Sequence, residues 1–114
     1  MGYYVRYDLD IKPVTETDIE SIKTTLAEFD LFEDIFDADE WFHDNILYFG
    51  AYDIQRWYEH EETMKKISLK YPDKVFRLEC VGEDGERWLE YYQNGESEEC
   101  VGRIVYAEPK TIIW

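Results

Sequence analysis

Nine carboxylates crowd between Glu28 and Asp53, a run reading EFDLFEDIFDADEWFHDNILYFGAYD that contains no Lys or Arg. Side chains of that type and density suit three kinds of chemistry: holding a hard cation, acid–base catalysis, or presenting negative charge to a basic partner. Asp37-Ala38-Asp39-Glu40 looks superficially like the start of a calcium loop, but the glycine and the distal bidentate Glu are absent at the required spacing. A zinc site needs about four closely placed His, Cys or carboxylate ligands. His43 and His60 are the only histidines and stand in no such set. His60 falls on the apolar side of a predicted helix, which is the setting of a structural histidine.

Nucleophilic chemistry finds no better support. Cys80 lies in the middle of a predicted strand on its core face, where a thiol is inert. Cys100 follows Glu98 and Glu99, whose charges raise a thiol pKa. No serine sits in a G-x-S-x-G turn, and the scattered glycines form no phosphate-cradling loop. A glycosidase-like pair of carboxylates can be drawn among so many acids, but abundance makes any such pair uninformative. The expectation is a non-enzymatic protein with no cofactor and no metal.

The whole chain sharpens that reading. Its 114 residues suffice for one domain and one core. The 45% hydrophobic and 18% aromatic content belongs to a folded protein and not to a disordered acidic tail. A formal charge of −15 opposes direct binding to nucleic acid or to an anionic membrane, because each phosphate meets repulsion. It attracts basic protein surfaces at long range. Adaptation to high salt is a competing account of the same charge. Two cysteines make no disulfide scaffold, no apolar run approaches the roughly 20 residues that span a bilayer, and MGYYVRYDLD has no signal-peptide core. A cytoplasmic protein is expected.

The elements that must position these residues follow from periodicity. Tyr3, Val5, Tyr7, Leu9 and Ile11 alternate as a strand over 3–11. Thr17 with Glu20 fits a capping box, and Ile19, Ile22, Leu26 and Phe29 recur at helical spacing over 18–29. Leu31 to Trp41 shows no clean period and reads as loop or short helical turns. Asn45 to Tyr52 reads as a second strand, with Asp53 placed to cap a second helix over 55–71. That helix ends at Pro72-Asp73. Three strands follow over 74–81, 86–93 and 99–106, joined by turns at Glu83-Asp84-Gly85 and Asn94-Gly95. The Ile112–Trp114 tail adds a short edge strand or packs over the core. Strand, helix, strand, helix and hairpin predict an α+β, ferredoxin-like antiparallel sheet of four to five strands with two helices on one face.

From Arg56 the run RWYEHEETMKKISLKYPDKVFRLECVGEDGERWLEYYQNG, residues 56–95, resembles the YubB-like ferredoxin-fold domain of phages and other mobile elements. The matching features include Trp57-Tyr58, Glu61-Glu62, Met64, Ser68, Tyr71-Pro72-Asp73, Gly82-Glu83, Trp88, Tyr91 and Asn94-Gly95. The resemblance implies a fold and a mobile-element origin; it implies no reaction. The N-terminal half has no counterpart in it, so the chain reads as a single ferredoxin-like domain, 1–114, with an acidic insertion at 28–44.

That insertion is the candidate binding surface. Glu28, Asp30, Glu33, Asp34, Asp37, Asp39, Glu40 and Asp44 supply carboxylates at a density near that of nucleic-acid phosphates, and Trp41 and Phe42 supply apolar anchors. The overall profile is similar to that of small acidic phage proteins that inhibit host defence nucleases, anti-CRISPR proteins among them. The partner expected from that similarity is a basic protein of the bacterial host, such as a CRISPR effector or other nuclease, blocked by charge mimicry. A solvated acidic face and a phage or plasmid accessory module, homodimeric or bound to an unrelated protein, are the alternatives.

Overall fold

Val5, Tyr7, Leu9 and Ile11 are buried along one side of the first strand, β1 (Val5–Lys12), and the rest of the sheet is laid out around it. In the computed structural model, the residues described are 5–29, 31, 36–51, 59–101 and 112, with the backbone alone at 36–40, 51 and 101. After β1 come α1 (Glu16–Glu28), β2 (Phe36–His43), β3 (Ile46–Ala51), α2 (His60–Lys70), β4 (Val75–Gly82), β5 (Arg87–Gln93) and β6 (Glu96–Val101). The strands form one antiparallel sheet in the order β2-β3-β1-β4-β5-β6. The protein is therefore α+β, with two helices and six strands among the described residues.

Both helices contribute to one core. Ile22 and Leu26 of α1 and Met64 and Ile67 of α2 are fully buried with Leu9, Ile11, Leu47, Phe49, Phe76 and Leu78. Each such side chain contributes about 1.5–3 kcal/mol by leaving water. Hydroxyls of Ser21 and Thr25 on α1 bond the Tyr71 hydroxyl beyond α2, at 2.9 and 2.8 Å, which ties the two helices together. Alternation along β4 and β5 sends Val75, Leu89 and Tyr91 to the other side of the sheet. There they cluster with Cys100 and Ile112.

Several expectations need correction. The helix cap is Thr15, whose amide donates to Asp18 Oδ2 at 3.0 Å, and not Thr17 with Glu20. That bond, followed by the one from Lys74, lowers the Asp18 pKa. Lys74 is itself buried, between Asp18 Oδ2 at 3.0 Å and the Pro13 carbonyl at 2.9 Å. The segment expected as loop or short helical turns from Leu31 to Trp41 runs into a strand, Phe36–His43, so the sheet has six strands among the described residues and not four or five. Asp and Glu are depleted in strands, yet a sheet edge accommodates them because one side of the strand stays in water. The expected strand over 99–106 begins earlier, at Glu96, and its part beyond Val101 lies outside the described residues, as does Asp53 with its expected capping role. Helix α2 is described from His60; its expected start at 55 also lies outside them.

The hairpin β2–β3 turns on Asp44 and Asn45, both with positive φ (48° and 62°). A two-residue turn of this hand matches the twist of the strands it joins, and Asn and Asp tolerate it better than other side chains. The Asn94-Gly95 turn between β5 and β6 uses the same device, with φ of 49° and 83°. Replacing Asn45 by a β-branched residue forces an unfavourable left-handed backbone. Asn45→Val is expected to lower stability by about 1–2 kcal/mol and Asn45→Gly to preserve or raise it, read as urea midpoints at an unchanged slope.

Candidate functional site

The acidic stretch is distributed over several elements. Glu28 ends α1, where its carboxylate lies 3.8 Å from Lys70 Nζ; both groups are half in water, so the pair adds little stability. Asp30, Glu33 and Asp34 lie outside the described residues. Asp37, Asp39 and Glu40 are on β2, the outermost described strand of the sheet at that end. Pairing with β3 is regular from Glu40 to His43 and irregular between Phe36 and Glu40. The irregularity confines regular ladder spacing to Glu40–His43. Asp44 occupies the turn, its carboxylate 3.0 Å from His43 Nε2.

The two aromatic anchors part company. Phe42 is half buried and packs against the core, so it belongs to the fold and not to a free binding surface. Trp41 is 61% exposed, with its ring 5.6 Å from that of His43. The difference follows from alternation: neighbouring residues of a strand point to opposite faces, and only one face of β2 is covered by the core.

On the face shared by Trp41 the register aligns a row across four strands: Trp41 beside Tyr48, Tyr48 beside Asp10, and Asp10 beside Arg77. Arg77 Nη2 donates to Asp10 Oδ2 at 2.8 Å, and the Tyr48 hydroxyl donates to Asp8 Oδ1 at 2.8 Å. Burial and the Asp8 carboxylate push the Tyr48 pKa up to about 12, so its hydroxyl stays a donor at any physiological pH. Together with His43, Asp44 and Ile46, this row lines an open groove of about 660 Å³. Aromatic walls with a few fixed polar groups suit a flat or long side chain of a partner. Sequence reasoning missed Tyr48 and Arg77 because the row exists only once the register is known.

A second cluster, also missed, surrounds Glu90 on the helix-covered face. Glu90 is only 6% exposed. Its Oε2 accepts from Trp88 Nε1 at 2.6 Å, its Oε1 from the Tyr92 hydroxyl, and His60 Nε2 lies 2.8 Å from Oε1 and 3.0 Å from Oε2. Burial pushes the Glu90 carboxyl up, but the bonds from His60 and Tyr92, the electrostatic pull of His60 and the Trp88 bond outweigh it and hold the pKa below its usual value. The same carboxylate, after burial itself, pushes the Tyr92 hydroxyl and the Cys80 thiol up. A small cavity of about 150 Å³ adjoins, walled by His60, Glu61, Glu90, Tyr92, Ser97, Glu98 and Glu99. The signal in the sequence was the alternation of Trp88-Leu89-Glu90-Tyr91-Tyr92, in which Trp88, Glu90 and Tyr92 share a face. With its oxygens accepting from Trp88, Tyr92, His60 and, at 3.8 Å, the Cys80 thiol, Glu90 is arranged to hold α2 on the sheet.

Among the described residues, no group of three or more His, Cys, Asp or Glu is arranged to hold a metal ion, and no helix is long and apolar enough to cross a membrane. No family model, curated protein or solved structure matches the chain.

Two measurements check the Glu90 cluster. A carboxyl whose pKa is lowered by folding contributes stability above its unfolded value, near 4.5, and loses it as pH falls through the folded value. Urea midpoints should therefore drop as the pH goes from about 5 to about 3, and drop less in Glu90→Gln, which should cost about 1–3 kcal/mol at neutral pH. Both cysteines are buried, Cys80 completely. A chromogenic disulfide reagent at mildly alkaline pH should find neither thiol in the native protein and both in denaturant.

Proposed function

We propose that this protein binds a basic, nucleic-acid-binding protein of a bacterial host, of the CRISPR effector or defence nuclease class, and blocks it by presenting carboxylates in place of phosphates. The observation that carries the reading is Trp41, an exposed aromatic in a strand that also holds Asp37, Asp39 and Glu40 at the border of the sheet. Exposed tryptophan costs free energy in water and becomes a strong anchor when a partner covers it. Carboxylates on the same strand select the sign of that partner and speed encounter with it. In this reading the protein catalyses nothing, binds no cofactor, touches no nucleic acid or membrane directly, and works in the bacterial cytoplasm.

The ferredoxin-like assignment draws support from the arrangement of the first part of the sheet; the YubB-like origin is proposed on the sequence of residues 56–95 alone. Strands and helices run β-α-β-β-α-β, and the four strands lie in the order β2-β3-β1-β4, all antiparallel. Strands β5 and β6 then extend the sheet beyond β4. A common scaffold of this kind leaves function to the residues it carries, and here Asp37, Asp39 and Glu40 belong to one of the scaffold's own strands, β2, and not to an insertion between its elements.

Charge reversal tests the reading. The variant carrying Lys at positions 34, 37, 39 and 40 should keep the wild-type circular dichroism spectrum. Immobilised beside wild type and exposed to host lysate at low salt, it should retain at least about tenfold less of any basic nucleic-acid-binding protein, which wild type should release as salt rises. Equal capture and equal inhibition by the two proteins would end the mimicry reading.

A further inference from the structure

Strand β2 is paired on one side only among the described residues, by β3. The turn at Asp44 and Asn45 determines which of its backbone groups face outwards. In a two-residue hairpin the residues flanking the turn, His43 and Ile46, exchange both backbone hydrogen bonds, and alternation makes Trp41 and Tyr48 the next such pair. The N–H and C=O groups of Glu40 and Phe42 therefore point away from β3, towards the side that no described strand pairs. Exposed donors and acceptors at strand spacing are a template for another extended chain.

The charge of the edge decides which chain. A second copy of β2 brings Asp37, Asp39 and Glu40 against their own equivalents, and like charges directly opposite are destabilising. An extended segment rich in Arg or Lys meets the opposite situation. Its alternate side chains reach the groove beside Trp41, where a guanidinium stacks on the indole and finds the Asp44 carboxylate at the same rim. We propose that a basic extended segment of the partner adds to β2 as a seventh strand, seating its cationic side chains against Trp41. This inference rests on the basic-partner reading above and supplies its mode of attachment.

The test uses a synthetic peptide alternating Arg and Val, about as long as β2, and the same peptide methylated on every backbone nitrogen. The two carry equal charge, but only the first can donate to the edge. Binding of the full-length protein is followed by calorimetry at low salt, together with Glu40→Pro and Glu40→Gln, which both remove one charge while only the first removes an outward N–H. Strand addition predicts that methylation weakens binding at least about tenfold, that Glu40→Pro binds several-fold more weakly than Glu40→Gln, and that Trp41→Ala weakens both comparisons. Equal affinity for the two peptides overturns the added strand, even if Glu40→Pro fails to fold. If Asp37→Lys with Asp39→Lys still weakens binding of both peptides in that case, the basic-partner reading survives alone. If those substitutions change nothing, both fall. Failure of wild type to bind either peptide, or a dimer dispersed by Glu40→Pro, also overturns the proposal.

Discussion

Everything in this fold depends on the double pairing of β1. Leu9 is the centre of it, opposite Phe49 on one side and Leu78 on the other, with all three completely buried. Strand β1 joins two parts of the sheet that are otherwise distant in sequence, the β2–β3 hairpin and the β4–β5–β6 meander. The helices lie where they do because β1, β3 and β4 together offer one continuous apolar face, and Ile22, Leu26, Met64 and Ile67 have nowhere else to leave water. Glu90 then adds directional bonds at the margin of this core, holding His60 at the first turn of α2.

What the sequence made legible was whatever obeys a simple period. The alternation of Val5, Tyr7, Leu9 and Ile11 is a one-sided strand, and the Asn94-Gly95 pair is a hairpin turn because few other residues accept those backbone angles. The helical spacing of Ile22 and Leu26 likewise gave α1, although its cap lay at Thr15, where Asp18 competes for the role assigned to Glu20. Strand β2 was illegible for a physical reason. Its sequence, FDADEWFH, places Glu40 and Phe42 on one alternation and Asp39 and Trp41 on the other, so neither face reads as apolar. An edge strand needs only part of one face buried, and Phe42 alone among its described side chains packs against the core.

The same circumstance explains how much of the candidate site could be read in advance. Charge density along a chain is visible in one dimension, so the acidic stretch was plain. Its division into a helix end, an edge strand and a turn is not, because Glu28, Glu40 and Asp44 become different kinds of surface only when the strand order is known. The row from Trp41 through Tyr48 and Asp10 to Arg77 joins four elements separated along the chain by both helices. No local pattern encodes that alignment. Glu90 was hidden by the opposite prejudice, that a carboxylate in a strand of alternating polarity faces water; Trp88, Tyr92 and His60 reverse it by supplying donors where water would have been.

The central place of β1 has an effect on how the chain is made. Synthesised before the other described elements, β1 meets its sheet neighbour β3 only after α1 and β2, and Leu9 must wait for Leu78 before its other flank is closed. Until then an apolar strand is present with one edge unsatisfied, which is the state in which nascent chains stick to one another. The carboxylates between Glu28 and Asp44 are synthesised during this interval. Like charge opposes association between chains, so the same carboxylates that oppose compactness in the finished domain also oppose contact between unfinished copies.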